Sequence, residues 1–141
     1  MRLVLDASVV VKWLMNDPQR ERDTQRATAV MEGVGSGAYE LVQPPHWLAE
    51  VAAVLCRLSP QTAADDLASL HLMECPIEDG EAVYRRACRL TAELQHHLFD
   101  TLYHAVALER DALLLTADAA YGRKAAALGH LCLLADFELT P

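Results

Sequence analysis

Short apolar runs alternate with longer amphipathic segments along this chain. The apolar runs are rich in Leu and Val and show little polar alternation, which is typical of parallel strands covered on both faces. Strands are predicted at Leu3–Leu5, Glu40–Gln43, Met73–Ile77, Ala112–Ala117 and Leu131–Leu134. The Met73–Ile77 run is the weakest of them. The pattern predicts a doubly wound α/β domain over residues 1–141, with a parallel sheet of four or five strands.

The segments between these runs show the apolar periodicity of helices. Proline marks several of the predicted boundaries, at Pro18, at Pro44–Pro45 and at Pro60, where a helix can begin. Helices are predicted over Ser8–Met15, Gln19–Gly33, His46–Leu58, Pro60–Leu72, Asp79–His96, Phe99–Arg110 and Ala119–Leu128.

Two aspartates directly follow predicted strands. Asp6 separates two apolar runs in "MRLVLDASVVVKWL", and Asp118 follows the clearest strand in "LLLTADAAYG". Each could cap the helix that follows it, and Ser8 could take that role at the first helix. If the two strands are neighbours where the strand order reverses, both carboxylates instead face one crevice at the carboxyl edge of the sheet.

Glu50 is the only charged residue in "HWLAEVAAVLC", and its neighbours on the helical face are mostly apolar. A carboxylate in such a place needs a cation or becomes neutral, unless it lies on a solvated edge of the helix. Asp100, in "QHHLFDTLYHAVALERD", lies in the first turn of a helix, where the helix dipole favours a negative charge. Tyr103 and His104 could support it or contact a substrate. His96, His97 and His104 around this aspartate could also indicate a transition-metal site, but they are interpreted as helix surface or cap residues.

Taken together, Asp6, Glu50, Asp100 and Asp118 predict an oxygen-rich site, which favours Mg²⁺ or Mn²⁺. Ser8 and Thr116 are predicted to support this site as hydroxyl donors or by positioning water. Such a site can activate water and stabilise the charge of a phosphodiester under attack.

Composition narrows the class of protein. The 141 residues are 52% apolar and 23% charged, which is typical of a globular chain. No apolar run approaches the roughly 18 residues of a membrane span, so we expect a cytoplasmic protein without membrane partners. The net charge of −8 does not exclude a nucleic-acid substrate, because bound cations make an acidic site attractive to phosphate. The four scattered cysteines are expected to be small buried hydrophobes.

Three motifs carry a resemblance to a known family. "LVLDASVVVKWL", "PPHWLAEVAAVL" and "LFDTLYHAVALERDALLLTAD", in this order and spacing, resemble the PIN-domain ribonucleases, in particular the VapC-type toxins of bacterial toxin–antitoxin pairs. The likeness runs from residue 3 to about residue 137. It implies a PIN-like three-layer α/β/α sandwich and a Mg²⁺- or Mn²⁺-dependent endoribonuclease, commonly a homodimer that a cognate antitoxin protein blocks.

The resemblance assigns the four acids to the family's metal-binding positions, and Ser8 and Thr116 to its accompanying hydroxyl positions. Two residues depart from the family pattern. Thr101 replaces an alanine after the third acid, and Ala53 replaces an asparagine three residues after the glutamate. Neither change removes a carboxylate, so both bear on rate and specificity rather than on reaction type.

Lys12, Arg123 and Lys124 follow Asp6 and Asp118 and are candidate contacts for RNA phosphates, although ordinary solvated helix charge explains them equally well. Another interpretation of the whole chain is a PIN-like binding module with little or no catalysis that acts through a protein partner. A receiver domain is disfavoured because Asp6 stands without adjacent acids and the last strand lacks a lysine after it.

Overall fold

The computed structural model describes residues 1–19 and 22–139. Over these residues it contains four strands and seven α-helices. The strands are β1 (Arg2–Leu5), β2 (Glu40–Leu41), β3 (Leu113–Thr116) and β4 (Leu131–Leu133). The helices are α1 (Ala7–Met15), α2 (Thr24–Gly35), α3 (Trp47–Leu58), α4 (Ala63–His71), α5 (Glu81–Leu94), α6 (Leu98–Glu109) and α7 (Ala119–Ala125). Short 3₁₀ helices follow α7 at Ala126–Leu128 and β4 at Leu134–Asp136.

The strands form one parallel sheet in the order β2-β1-β3-β4, which confirms the predicted sheet. β1 pairs with β3 with Leu5 opposite Leu115, so the strands that precede Asp6 and Asp118 are neighbours. The chain proceeds from β1 to β2 on one side and later to β3 on the other. The strand order therefore reverses between β1 and β3, where α/β folds form their binding crevices.

Helices cover both faces of this sheet. Leu3, Val4 and Leu5 point alternately to opposite faces, and all three are at most 1% exposed. α1 packs with α2 and α3, and α4 extends this group through α3. α6 packs on β1 and β3 and pairs with α5. The predicted three-layer α/β/α sandwich is confirmed.

The predicted strand over Met73–Ile77 is wrong. Only Ile77 bridges, to Gln43, and the backbone of Glu74 has a positive φ of 48°. Pro76 has no N–H to donate, which weakens any ladder through this segment. β2 likewise ends at Leu41 instead of Gln43.

α2 differs from its prediction at both ends. It begins at Thr24, whereas Gln19 lies in a turn and donates its N–H to Asp17, 3.1 Å away. The predicted residues 20 and 21 lie outside the described part of the chain. At its other end the helix continues past Gly33 to Gly35. Gly33 lets the ring of Tyr39 pack directly on the helix backbone. A Cβ there would overlap that ring.

The cysteine prediction is also wrong in part, since Cys56 and Cys88 are exposed and Cys75 and Cys132 are only partly buried. Cys75 and Cys132 pack against the leucine- and valine-rich core, whereas Cys56 of α3 and Cys88 of α5 face solvent. Separately, no helix in residues 1–19 and 22–139 has both the length and the apolar character needed to span a bilayer.

Candidate active site

Asp6 lies at the carboxyl end of β1 and continues the pairing with β3, because its N–H donates to the carbonyl of Leu115 at 3.0 Å. Its carboxylate accepts two hydroxyl hydrogen bonds on the same oxygen. Ser8 Oγ donates to Oδ2 at 2.6 Å, and Thr116 Oγ1 donates to it at 2.8 Å. The side chain makes no capping bond to α1, so the capping interpretation does not hold for Asp6.

The two hydroxyls also bind the turn that follows β3. Ser8 Oγ accepts from the N–H of Ala117 at 3.0 Å, and Thr116 Oγ1 accepts from the N–H of Asp118 at 3.1 Å. Each hydroxyl therefore connects Asp6 to the β3–α7 turn. Ser8 and Thr116 thus occupy the hydroxyl positions beside Asp6 that the sequence predicted for them.

Glu50 approaches Asp6 from the first turn of α3. Its Oε2 lies 3.2 Å from Nε2 of His46, one helical turn earlier. The same nitrogen lies 2.7 Å from the carbonyl oxygen of Phe99, so His46 links α3 to the start of α6. Since both neighbours are acceptors, Nε2 carries the proton.

Asp100 occupies the centre of the acidic residues. One oxygen each of Asp6, Glu50 and Asp100 lies within 4.8 Å of the other two. Asp100 belongs in the same way to a second group with Asp118 and His96. The four predicted acids are therefore brought together, with Asp100 shared between the two groups.

His96 contacts Asp100 directly, although the sequence favours a helix surface or cap role for it. Its Nε2 lies 2.7 Å from Asp100 Oδ2, and its Nδ1 lies 3.2 Å from Nζ of Lys124. The lysine donates to Nδ1, so Nε2 bears the proton that Asp100 accepts. Lys124 is thus connected to Asp100 through this ring.

Asp118 caps α7 by accepting the N–H of Tyr121 on Oδ1 at 3.0 Å. The capping interpretation therefore holds for this aspartate. It does not exclude a second role, because a carboxylate oxygen of Asp118 also belongs to the group that contains Asp100 and His96.

All four acids line one cleft of about 400 Å³. Two basic residues, Lys12 of α1 and Arg57 of α3, line it as well. Arg123 and Lys124 are not among the described residues that line this cleft. The sequence analysis missed Arg57, although its position seven residues after Glu50 places both on the same face of a helix.

The surroundings of Asp6 raise its proton affinity. Burial is the main reason that the pKa of Asp6 rises to about 6, and the charges of Glu50 and Asp100 add to it. The hydrogen bonds from Ser8 and Thr116 act in the opposite direction. Three carboxylates converge here with oxygen atoms alone, so the donor set fits a hard divalent cation such as Mg²⁺ or Mn²⁺.

Tyr103 and His104 have different places in the structure. His104 is fully buried and bonds to Tyr121 Oη at 3.0 Å and to the carbonyl of Gly129 at 2.7 Å, so it supports α7 rather than Asp100. Tyr103 borders a small internal pocket that Asp6 and Asp100 also line. Burial raises the pKa of Tyr103 well above its usual range, and its hydroxyl stays protonated.

Comparison with known proteins agrees with this geometry. The family model described as PIN domain matches residues 3–127, which include all four acids. None of the curated proteins compared with the chain matches it. PIN domains are typically nucleases. Because the match covers most of its residues, the chain belongs to the PIN domain family.

Proposed function

We propose that this protein is a Mg²⁺- or Mn²⁺-dependent endoribonuclease that hydrolyses RNA phosphodiester bonds. The observation that carries the proposal is the convergence of Asp6, Glu50 and Asp100 within 4.8 Å in an open cleft of a PIN domain. Holding three such charges together without a cation is unfavourable, and a divalent ion would relieve that repulsion.

Each acid and hydroxyl of the cleft has its own proposed role. Asp6, Glu50 and Asp100 hold the cation, and Asp118, which groups with Asp100 and His96, adds a further carboxylate beside them. Ser8 and Thr116 orient Asp6 through the hydroxyl bonds to its Oδ2. Bound at these oxygens, the ion would supply Lewis acidity towards a phosphoryl oxygen and a more acidic water as the nucleophile.

Lys12 and Arg57 are proposed to contact RNA phosphates, because both line the cleft beside the acids. Such contacts position a substrate without reading its sequence. Arg123 and Lys124 lie on α7, outside the described lining of the cleft. For them we propose contacts to more distant parts of the RNA, with Lys124 also holding His96.

We further propose that the protein is the toxin of a toxin–antitoxin pair, acts in the cytoplasm as a homodimer and is blocked by a cognate antitoxin. The motif resemblance supports this proposal. Induced expression should arrest growth, expression of Asp6→Asn should not, and a small protein encoded beside this gene should relieve the arrest. Growth arrest by Asp6→Asn at the same protein level would contradict the toxin mechanism.

The direct test is cleavage of a mixed tRNA and rRNA pool by the purified protein with Mg²⁺, Mn²⁺ or EDTA. Asp6→Asn is the matched control, since it removes a charge at nearly constant volume. Discrete fragments that require both the metal and Asp6 are expected. If wild-type protein and Asp6→Asn give the same fragments, the proposed site is wrong.

The alternative is a PIN-like binding module that acts through a protein partner. In that case the well-folded, antitoxin-free protein would leave every RNA of the pool intact, while its effect in cells would survive the loss of Asp6. The four intact acids favour the enzyme.

A further inference from the structure

Gln43 is a polar residue in the core, fully buried just after β2. Its backbone hydrogen-bonds to the segment 76–78, which lies outside the four-stranded sheet. The N–H of Gln43 donates to the carbonyl of Pro76 at 2.9 Å, and its carbonyl accepts from the N–H of Glu78 at 2.9 Å. The backbone of Gln43 thus faces this segment, on the side away from β1.

The side chain of Gln43, by contrast, bonds to the backbone of β1. Its Oε1 accepts from the N–H of Leu5 at 2.8 Å, and its Nε2 donates to the carbonyl of Leu5 at 2.9 Å. One residue earlier, the N–H of Val42 still donates to the carbonyl of Leu3, at 3.0 Å. The side-chain amide of Gln43 thus gives Leu5 the donor and the acceptor that a further residue of β2 would provide.

Leu5 is the last residue of β1 and directly precedes Asp6. On the opposite side of the strand, the N–H of Asp6 donates to the carbonyl of Leu115. The Leu5–Asp6 segment is therefore held between Gln43 on one side and β3 on the other. Resting on the metal-dependent function proposed above, we propose that Gln43 is a positioning residue that holds the backbone of Asp6 in register for metal binding.

The chemistry of the amide explains why this position holds glutamine. Leu5 presents one donor and one acceptor in a buried place, so its partner must offer both groups and no charge. An ionised glutamate has no donor for the Leu5 carbonyl. Methionine has nearly the same length as glutamine but can satisfy neither backbone group, which makes Gln43→Met the sharpest variant.

The experiment compares Gln43→Met with Val30→Ala. Val30 is fully buried in α2, which carries none of the proposed site residues, so its truncation reports the effect of lost stability alone. Two quantities are measured under conditions where both variants are folded: Mn²⁺ affinity by calorimetry, and hydrogen exchange of the Leu5 and Asp6 amides. Wild-type protein gives the upper reference for Mn²⁺ affinity, and Asp6→Asn, which lacks a proposed ligand charge, gives the lower one.

We expect Gln43→Met to weaken Mn²⁺ binding by about 10- to 100-fold, the usual effect of losing a residue that supports a metal ligand. We also expect the Leu5 and Asp6 amides to exchange faster relative to the rest of the core. Val30→Ala should keep the wild-type affinity and show only a general increase in exchange.

The outcomes separate the two proposals. If wild-type protein binds Mn²⁺ and Gln43→Met binds it as tightly as Val30→Ala does, the role of Gln43 is wrong and the proposed function stands. If wild-type protein binds no Mn²⁺, the proposed function fails and the positioning role fails with it. Hydrogen exchange of the wild-type protein tests the inference without any variant. Fast exchange of the Leu5 backbone amide, or of the Gln43 side-chain amide, would overturn it.

Discussion

At the scale of single residues, Asp6 shows how a charge is kept at the edge of an apolar core. Two hydroxyls bind its carboxylate, yet burial beside Glu50 and Asp100 still raises the pKa of Asp6 to about 6. Its negative form is therefore unfavourable in the metal-free protein. This residue lowers the stability of the empty site, and its charge becomes favourable when a cation is bound.

Asp6→Asn should therefore stabilise the metal-free protein at neutral pH. A folded pKa of about 6, against 3.8 for the unfolded chain, corresponds to at most about 3 kcal/mol of unfolding free energy. Because the folded state binds the proton more tightly, this cost is full above pH 6, shrinks as the pH falls through this window and is absent below 3.8. Asparagine still offers an acceptor to Ser8 and Thr116.

The measurement is chemical denaturation of wild-type protein and Asp6→Asn in EDTA, near pH 7.5 and near pH 4. The stability difference should favour the variant at the higher pH and become small at the lower one. A variant that is less stable than wild type near pH 7.5 would contradict the burial of an unfavourable charge at Asp6.

At the scale of elements, α3 contributes residues both to the hydrophobic core and to the cleft. Val51 and Leu55 are fully buried against the rest of the protein, whereas Glu50 and Arg57 line the cleft. The helix therefore presents one acid for the cation and one base for the substrate, about two turns apart. Their spacing is rigid because the opposite face of α3 is packed in the core.

Arg57→Met is expected to weaken RNA binding while leaving metal binding intact. Loss of one phosphate contact on single-stranded RNA should reduce the slope of log affinity against log salt by about 0.7. Arg89→Met, on the exposed face of α5, is the matched control and should leave the slope unchanged. The comparison uses fluorescence titration in the Asp6→Asn background, which prevents cleavage. Equal slopes for the two arginine variants would remove Arg57 from the RNA interface.

At the scale of the whole molecule, the site joins parts of the chain that are far apart in sequence. Asp6 follows β1, Glu50 lies in α3, Asp100 lies in α6, and Asp118 follows β3. These elements come together only in the folded state. An ion held by Asp6, Glu50 and Asp100 therefore binds the folded protein and not the unfolded chain.

Added Mn²⁺ should raise the thermal stability of wild-type protein. At a free concentration 100 times the dissociation constant, the expected gain is about 2.7 kcal/mol, and EDTA should reverse it. Asp6→Asn should gain much less, since it lacks one ligand charge. Differential scanning calorimetry with and without Mn²⁺ measures both effects. An equal gain for wild type and Asp6→Asn would place the ion elsewhere on the protein.

The sequence by itself determined the class of fold and the location of the acids along it. Apolar runs and helical periodicity are local features, and a buried strand followed by an aspartate can be identified without knowing its neighbours. Some boundaries depended on contacts with distant residues. Gly33 indicated the end of a helix, but α2 continues to Gly35, and the missing side chain instead makes room for the ring of Tyr39. Met73–Ile77 had the apolar residues of a strand, but the N–H groups of Met73 and Glu74 donate back to the end of α4, and Pro76 has no N–H.

Only the tertiary structure decided which groups meet. The contact of Lys124 with His96, the place of Arg57 in the cleft and the bonds from Gln43 to Leu5 depend on how distant segments pack. Gln43 is the clearest case, because nothing in its local sequence indicates that its side chain substitutes for a strand. Local patterns determine what each segment can form. Packing determines which backbone groups remain unpaired and therefore which side chains must satisfy them.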